Sequence, residues 1–158
     1  MKYIGVFAVF LAVLLFCRAY RKHLLSELDS LRGIIGFIGE LKRHTVCYLE
    51  PPSRWVGKYK CDFPDGGFLS LIEERGIGEA FEAARGKMSL PEAAEPLLSE
   101  LFSGFGRGYL DEEKKKIEYA EDRLREILTL EEKRVGERTK IILAVSFSLA
   151  FGIMLFVL

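Results

Sequence analysis

Three glycines recur at alternate positions in LFSGFGRGYLDEEKKK (Leu101–Lys116), with Arg107 between the last two and a charged run behind them. Backbone N–H groups of such a turn, opening onto a helix, can cradle phosphate. The spacing does not meet that chemistry's requirements. A P-loop needs Lys-Ser/Thr directly after its glycines and a strand before them, and neither is present. In the dinucleotide fingerprint G-x-G-x-x-G, Gly104 and Gly106 would put the third glycine at Tyr109. The stretch therefore reads as a corner between two helices. Gly104 or Gly106 can supply the left-handed residue that closes the first helix. Asp111 can cap the second by accepting the Lys114 N–H, or lie in its first turn. The run Asp111–Lys116 reads as a solvated face beside the corner.

Elsewhere the reactive residues do not assemble. Cys17, Cys47 and Cys61 are odd in number and lack metal-type spacing, so a disulfide framework is not expected. His44-x-x-Cys47 is too little for a metal site, and His23 and His44 fall on helical positions without a nucleophile and carboxylate around them. No catalytic set, metal or cofactor is expected, and a non-enzymatic protein is the reading. Arg18–Lys140 holds all 23 acidic residues and 22 of the 23 basic ones, so no net field points to nucleic acid.

The two ends are of another character. Residues 3–17 (YIGVFAVFLAVLLFC) and 141–158 (IILAVSFSLAFGIMLFVL) carry no charge. As a helix the second spans about 27 Å, close to the roughly 30 Å of a bilayer's hydrocarbon core. Ser146 and Ser148 are tolerable there, because a helical serine can bond back to a carbonyl one turn earlier. The first spans about 22 Å. It reads as a retained transmembrane helix, since no small-x-small cleavage site follows and Arg18 and Tyr20 can extend the span into the interface. A signal peptide and an interfacial helix are the alternatives for so short a block. Arg18, Arg21 and Lys22 follow the first block and Lys133, Arg134, Arg138 and Lys140 precede the second, against Lys2 outside. That bias places residues 18–140 in the cytoplasm.

The middle reads as helical throughout. Leu24, Leu28, Leu31, Ile35 and Ile38, with Leu25, Ile34 and Leu41 beside them, form a stripe at three- and four-residue steps. One helix can run from Tyr3 to Leu49, ended by Pro51-Pro52. Gly33, Gly36 and Gly39 leave a smooth face on which another helix could lie. A short helix follows at Ser53–Tyr59, then a proline–glycine turn at Phe63–Gly67. Two short helices are punctuated by Gly76 and Gly86. Ser89 and Glu92 form a capping box opening a helix that buries Ala94, Leu97, Leu98, Leu101 and Phe105. After the corner, Ile117, Ala120, Leu124 and Ile127/Leu128 form an a/d-like seam, on a helix that continues into the tail. Trp55, Phe63 and Phe68 are expected in packing. The fold expected is an all-α helical bundle formed between two long helices that extend into the N- and C-terminal transmembrane segments.

This order of features resembles the stage III sporulation protein AB family of endospore-forming bacteria. YRKHLLSELDSLRGIIGFIGELKRHTVCYLEPP (residues 20–52) is similar to the family's long helix, with an acidic residue near Glu40 and proline just beyond. EAFEAARGKMSLPEAAEPLLSELFSGFGRGYLD (residues 79–111) is similar to its short aromatic helix, its linker and a helix ending in Phe-Gly-x-x-Leu-Gly-x-x-Asp. Phe105, Gly106 and Asp111 carry that match. Gly108-Tyr109-Leu110 stands where the family has Leu-Gly, and Lys115 near where it has glutamine. The resemblance implies a component of the channel joining mother cell and forespore, seated in the outer forespore membrane with its helical domain facing the mother-cell cytoplasm. That domain would be like those of type II secretion platform proteins. It would recruit the complex's own ATPase, the AA component, alongside other channel membrane proteins. The expected docking surface is the corner and its flank: Phe105, Gly106, Arg107, Gly108, Tyr109, Asp111 and Lys115. A membrane-anchored structural coiled coil without an ATPase partner is the alternative, and would need the a/d seam to pair two chains.

Overall fold

A computed structural model describes the backbone of residues 2–59 and 65–157, and the side chains of residues 11–59, 65–149 and 151–152. The fold is all-α. Its α-helices among the described residues are α1 (Lys2–Lys42), α2 (Pro52–Trp55), α3 (Phe68–Arg75), α4 (Ile77–Ala84), α5 (Glu95–Ser103) and α6 (Leu110–Val157). By contacts the chain forms two compact units, one of Glu27–Leu130 and one of Met1–Ser26 with Glu131–Leu158.

In the larger unit the long helix α1 is buried over a wide arc. Leu28, Leu31, Ile34, Ile35, Ile38 and Leu41 are all buried, as their spacing dictates. Phe37, off the expected stripe, is the hub of the core. Its ring lies 5.6 Å from Trp55, 5.7 Å from Tyr59, 5.4 Å from Phe68 and 6.4 Å from Phe102. Phe81 closes the cluster 5.1 Å from Phe102, largely in tilted and edge-on pairings that suit the ring quadrupoles. Burying each phenylalanine contributes about 1.5–3 kcal/mol. The seam of α6 ends in the same core: Ile117, Ala120 and Leu124 are buried, with Ile127 and Leu128 packed against it. Lys42 Nζ of α1 reaches Glu118 of α6 at 3.0 Å and Glu121 at 3.9 Å.

The expected end of α1 is modified. After Lys42 the chain widens into a single π-turn, Arg43–Tyr48, closed by Leu49 in the left-handed region (φ 54°), with Glu50 N–H donating to His44 O at 3.0 Å. Glu50 precedes Pro51, which disfavours continued helix. His44 is held by structure: its ring stacks on Trp55 at 4.5 Å, and Nδ1 lies 3.0 Å from a Glu50 carboxylate oxygen.

Short helices follow the glycine punctuation. Asp65 opens α3, its carboxylate accepting the N–H groups of Gly67 at 3.2 Å and Leu69 at 3.1 Å. Gly66 there has φ +61°, and an added Cβ would meet Lys87 Cβ at 2.8 Å. Trp55 and Phe68 are buried as expected, whereas Phe63 lies outside the described residues.

Three local expectations are corrected. The Ser89/Glu92 box does not open α5, which begins a turn later with Ala94 as its cap and no side-chain cap. Pro96 is the reason: it has no N–H to donate to Glu92 O, so a helix cannot run through it from Pro91. Residues 92–94 make a turn instead, with Ala94 N–H on Pro91 O at 2.9 Å. At Gly36 and Gly39 on α1 no helix packs closely among the described residues. An added Cβ at Gly36 would meet only the Tyr59 hydroxyl at 3.8 Å, and at Gly39 nothing within 4 Å. Leu25, placed beside the stripe, is exposed.

In the smaller unit the ends of α1 and α6 lie together, with Cys17 Sγ and Ser146 Oγ hydrogen-bonded at 2.9 Å. Large apolar side chains face outward on both, among them Phe16 (69% exposed) and Phe147 (72%). Among the described residues no helix is long and apolar enough to cross a membrane. Much of the two blocks expected to span, 3–17 and 141–158, lies outside the described side chains.

Candidate functional site at the glycine corner

The corner is built from the end of α5. Its last turn closes with Gly104 N–H on Glu100 O (3.3 Å) and Phe105 N–H on Phe102 O (3.4 Å). Gly104 itself is right-handed (φ −90°), and Gly106 is the residue that needs glycine, with φ +80°. The chain then rises to Tyr109, whose carbonyl accepts the Glu113 N–H at 2.9 Å and so starts α6. Asp111 lies in the first turn with Glu112 and Glu113, at the end where the helix dipole favours negative charge.

Glu113 is the residue that holds the corner. It is only 4% exposed, and its Oε1 accepts the Gly108 N–H at 3.0 Å. Lys116 Nζ stands 3.8 Å from the same oxygen, while Oε2 is buried without a partner. The carboxylate occupies the donor that a phosphate would need. An added Cβ at Gly108 would meet Glu113 Oε1 at 3.0 Å and Glu112 Oε2 at 3.2 Å. Two acidic groups crowding the glycine disfavour an anion there.

The sequence-predicted residues divide by role. Phe105 is partly buried and anchors the corner on the core. Gly106 turns it, and Gly108 ties it to Glu113. Arg107, Asp111 and Lys115 are exposed, and Tyr109 is 83% exposed. Among the described residues no side-chain hydrogen bond or ion pair engages these four. Asp111 and Lys115 are one turn apart on α6, on an exposed face.

Beside the corner, α5 and α6 leave a groove of about 250 Å³, with Leu97, Glu100 and Gly104 on one wall and Lys116, Tyr119 and Ala120 on the other. Sequence reasoning missed Glu113 and this groove. Glu113 was hidden inside a run read as solvated. It stands four residues before Ile117, in step with the buried positions Ala120 and Leu124. Extending the seam back one turn regardless of residue type would have marked it.

No protein-family model matches the sequence, and comparison with curated proteins and with solved structures finds no similar chain.

Proposed function

We propose that this protein is a non-enzymatic membrane adaptor that docks an ATPase through the glycine corner, the reading its resemblance to the stage III sporulation protein AB family implies. The two uncharged ends cross the membrane as extensions of α1 and α6, and residues 18–140 form the cytoplasmic bundle. Outward-facing apolar side chains on both helices of the smaller unit support that placement, since they have no core to enter. The partner is the ATPase of the mother cell–forespore channel, the AA component, with other channel membrane proteins around it.

One observation carries the docking role. Tyr109 and Arg107 project without side-chain partners among the described residues, from a corner whose backbone is pinned by a buried carboxylate. Tyrosine and arginine are the side chains that most often anchor an interface, and a fixed backbone lowers the entropy lost when they are captured. The groove beside them adds apolar surface flanked by one acidic and one basic residue, Glu100 and Lys116. The a/d seam needed by a self-pairing coiled coil is buried in the chain's own core, which favours the adaptor over that alternative.

Co-purification tests the proposal. The full chain is expected to retain the ATPase, and Arg107→Ala with Tyr109→Ala to lose it at unchanged helicity. Undiminished capture by the double variant returns the corner to a structural role.

A further inference from the structure

The smaller unit contains a cavity of about 220 Å³ between the ends of α1 and α6. Leu14, Cys17, Arg18, Arg21 and Leu24 line it from one helix, and Thr139, Ile142 and Leu143 from the other. Its position along both helices is the informative feature. The uncharged block of α1 ends at Cys17, and that of α6 begins at Ile141. The cavity straddles both boundaries at once. Leu14, Ile142 and Leu143 belong to the apolar side, and Arg18, Arg21 and Thr139 to the charged side.

We infer that this cavity is a binding site for the headgroup of an anionic phospholipid. The inference rests on the proposal that both blocks span the bilayer. Arg18 and Arg21 are three residues apart on one helical face and carry no ion pair among the described residues. Among the described residues no acidic side chain lines the cavity. Two guanidinium groups can each present a planar fork to phosphate oxygens. Tyr20, which also lines the site, is an interfacial residue type. The Thr139 hydroxyl donates to Val135 O at 2.7 Å, leaving its oxygen able only to accept, so phosphate recognition falls on the arginines. The Cys17–Ser146 hydrogen bond ties the two helices together next to the cavity.

Both polarity and size favour a lipid over free phosphate. The walls change from arginine to leucine and isoleucine in the order in which a phospholipid changes from phosphate to acyl chain. The volume is below the roughly 300 Å³ at which whole-ligand pockets begin, so it takes the phosphoglycerol part and leaves the chains along the outer apolar surface. Juxtamembrane arginines contribute about 1 kcal/mol each toward anionic lipid, so the pair gives a preference of about thirtyfold.

The full chain is reconstituted into vesicles of mixed phosphatidylglycerol and phosphatidylcholine, extracted in mild detergent, and its retained lipid counted by native mass spectrometry. One phosphatidylglycerol per chain is expected, preferred about thirtyfold over phosphatidylcholine. Arg18→Gln with Arg21→Gln abolishes the preference, whereas Lys133→Gln with Arg138→Gln, an equal loss of charge outside the cavity, keeps it. If the glutamine pair fails to fold, Arg18→Lys with Arg21→Lys keeps the charge but loses the forks, and is expected to lower retention. Equal retention of both lipids, the same loss from either glutamine pair, or displacement by excess glycerol 3-phosphate overturns the site. A chain that integrates into vesicles without the preference removes this inference alone. A chain that does not integrate removes the membrane proposal as well.

Discussion

Glu113→Ala tests whether a buried carboxylate sets the corner. In the folded chain Oε1 accepts the Gly108 N–H at 3.0 Å and Oε2 is buried without a partner. A hydrogen bond to a charged acceptor contributes about 1.5–3 kcal/mol, and an unsatisfied buried polar group costs about 1–3 kcal/mol. The substitution removes both, together with one buried methylene of about 0.8 kcal/mol. The opposing terms nearly cancel, so global stability is expected to fall by only about 1 kcal/mol. The local effect is not offset. Hydrogen exchange at Gly108 N–H should accelerate by about 10- to 100-fold, because each 1.4 kcal/mol or so of lost protection is a factor of about ten. Glu113→Gln retains a carbonyl acceptor and removes the charge. It should keep most of that protection and match or exceed wild-type stability. The assay is exchange resolved at Gly108, with thermal unfolding of the same samples. Equal exchange in wild type and the alanine variant, or a glutamine variant as damaged as alanine, would refute the reasoning.

Gly106→Ala is expected to cost about 1–2 kcal/mol, because φ is +80° while no atom crowds the position. Gly104→Ala, at φ −90° with Glu100 O an ordinary 3.5 Å away, should be neutral or stabilising by up to about 1 kcal/mol in thermal unfolding. The Glu118 carboxyl is held below its ordinary 4.5 by the hydrogen bond from Lys42, opposed by desolvation and aided by the charges of Lys42 and Lys114. The folded chain thus binds this proton less readily than the unfolded one. The contribution is complete above pH 4.5 and lost as pH falls through the lowered value. Lys42→Met should therefore differ from wild type in denaturation midpoint at neutral pH and converge with it in acid. Cys47 is exposed, so with Cys17→Ser and Cys61→Ser it should escape a membrane-impermeant maleimide in intact cells and react after permeabilisation. Labelling in intact cells would put the bundle on the other side.

Much of this fold is legible because its long helices obey simple rules. The stripe from Leu24 to Leu41 predicts the buried face of α1, and Ile117, Ala120 and Leu124 that of α6. Glycines at 76 and 86 mark the short helices. What escaped depends on groups that periodicity does not weigh. Phe37 belongs with Ile34 and Leu41 on a second buried row, visible only once the helix is known to be covered over a wide arc. The capping box was overruled by Pro96, whose missing N–H acts one turn upstream. Glycine spacing on α1 left a face on which a helix could lie, but at Gly36 only the Tyr59 hydroxyl comes near and at Gly39 nothing does. At the corner, sequence reading left Gly104 and Gly106 equivalent, and backbone geometry separates them. Glu113 was concealed by its neighbours, since a carboxylate in a core register becomes recognisable only when its backbone donor is in place.

Contact between the corner and the ATPase in the cell is the most direct test of the docking role. A photo-crosslinking residue placed at Tyr109 should join the chain to the ATPase during sporulation. One at Leu130, also exposed but about 30 Å further along α6, should not. A crosslink from position 130 alone, or none from position 109 when the two proteins are both present, would contradict the proposal.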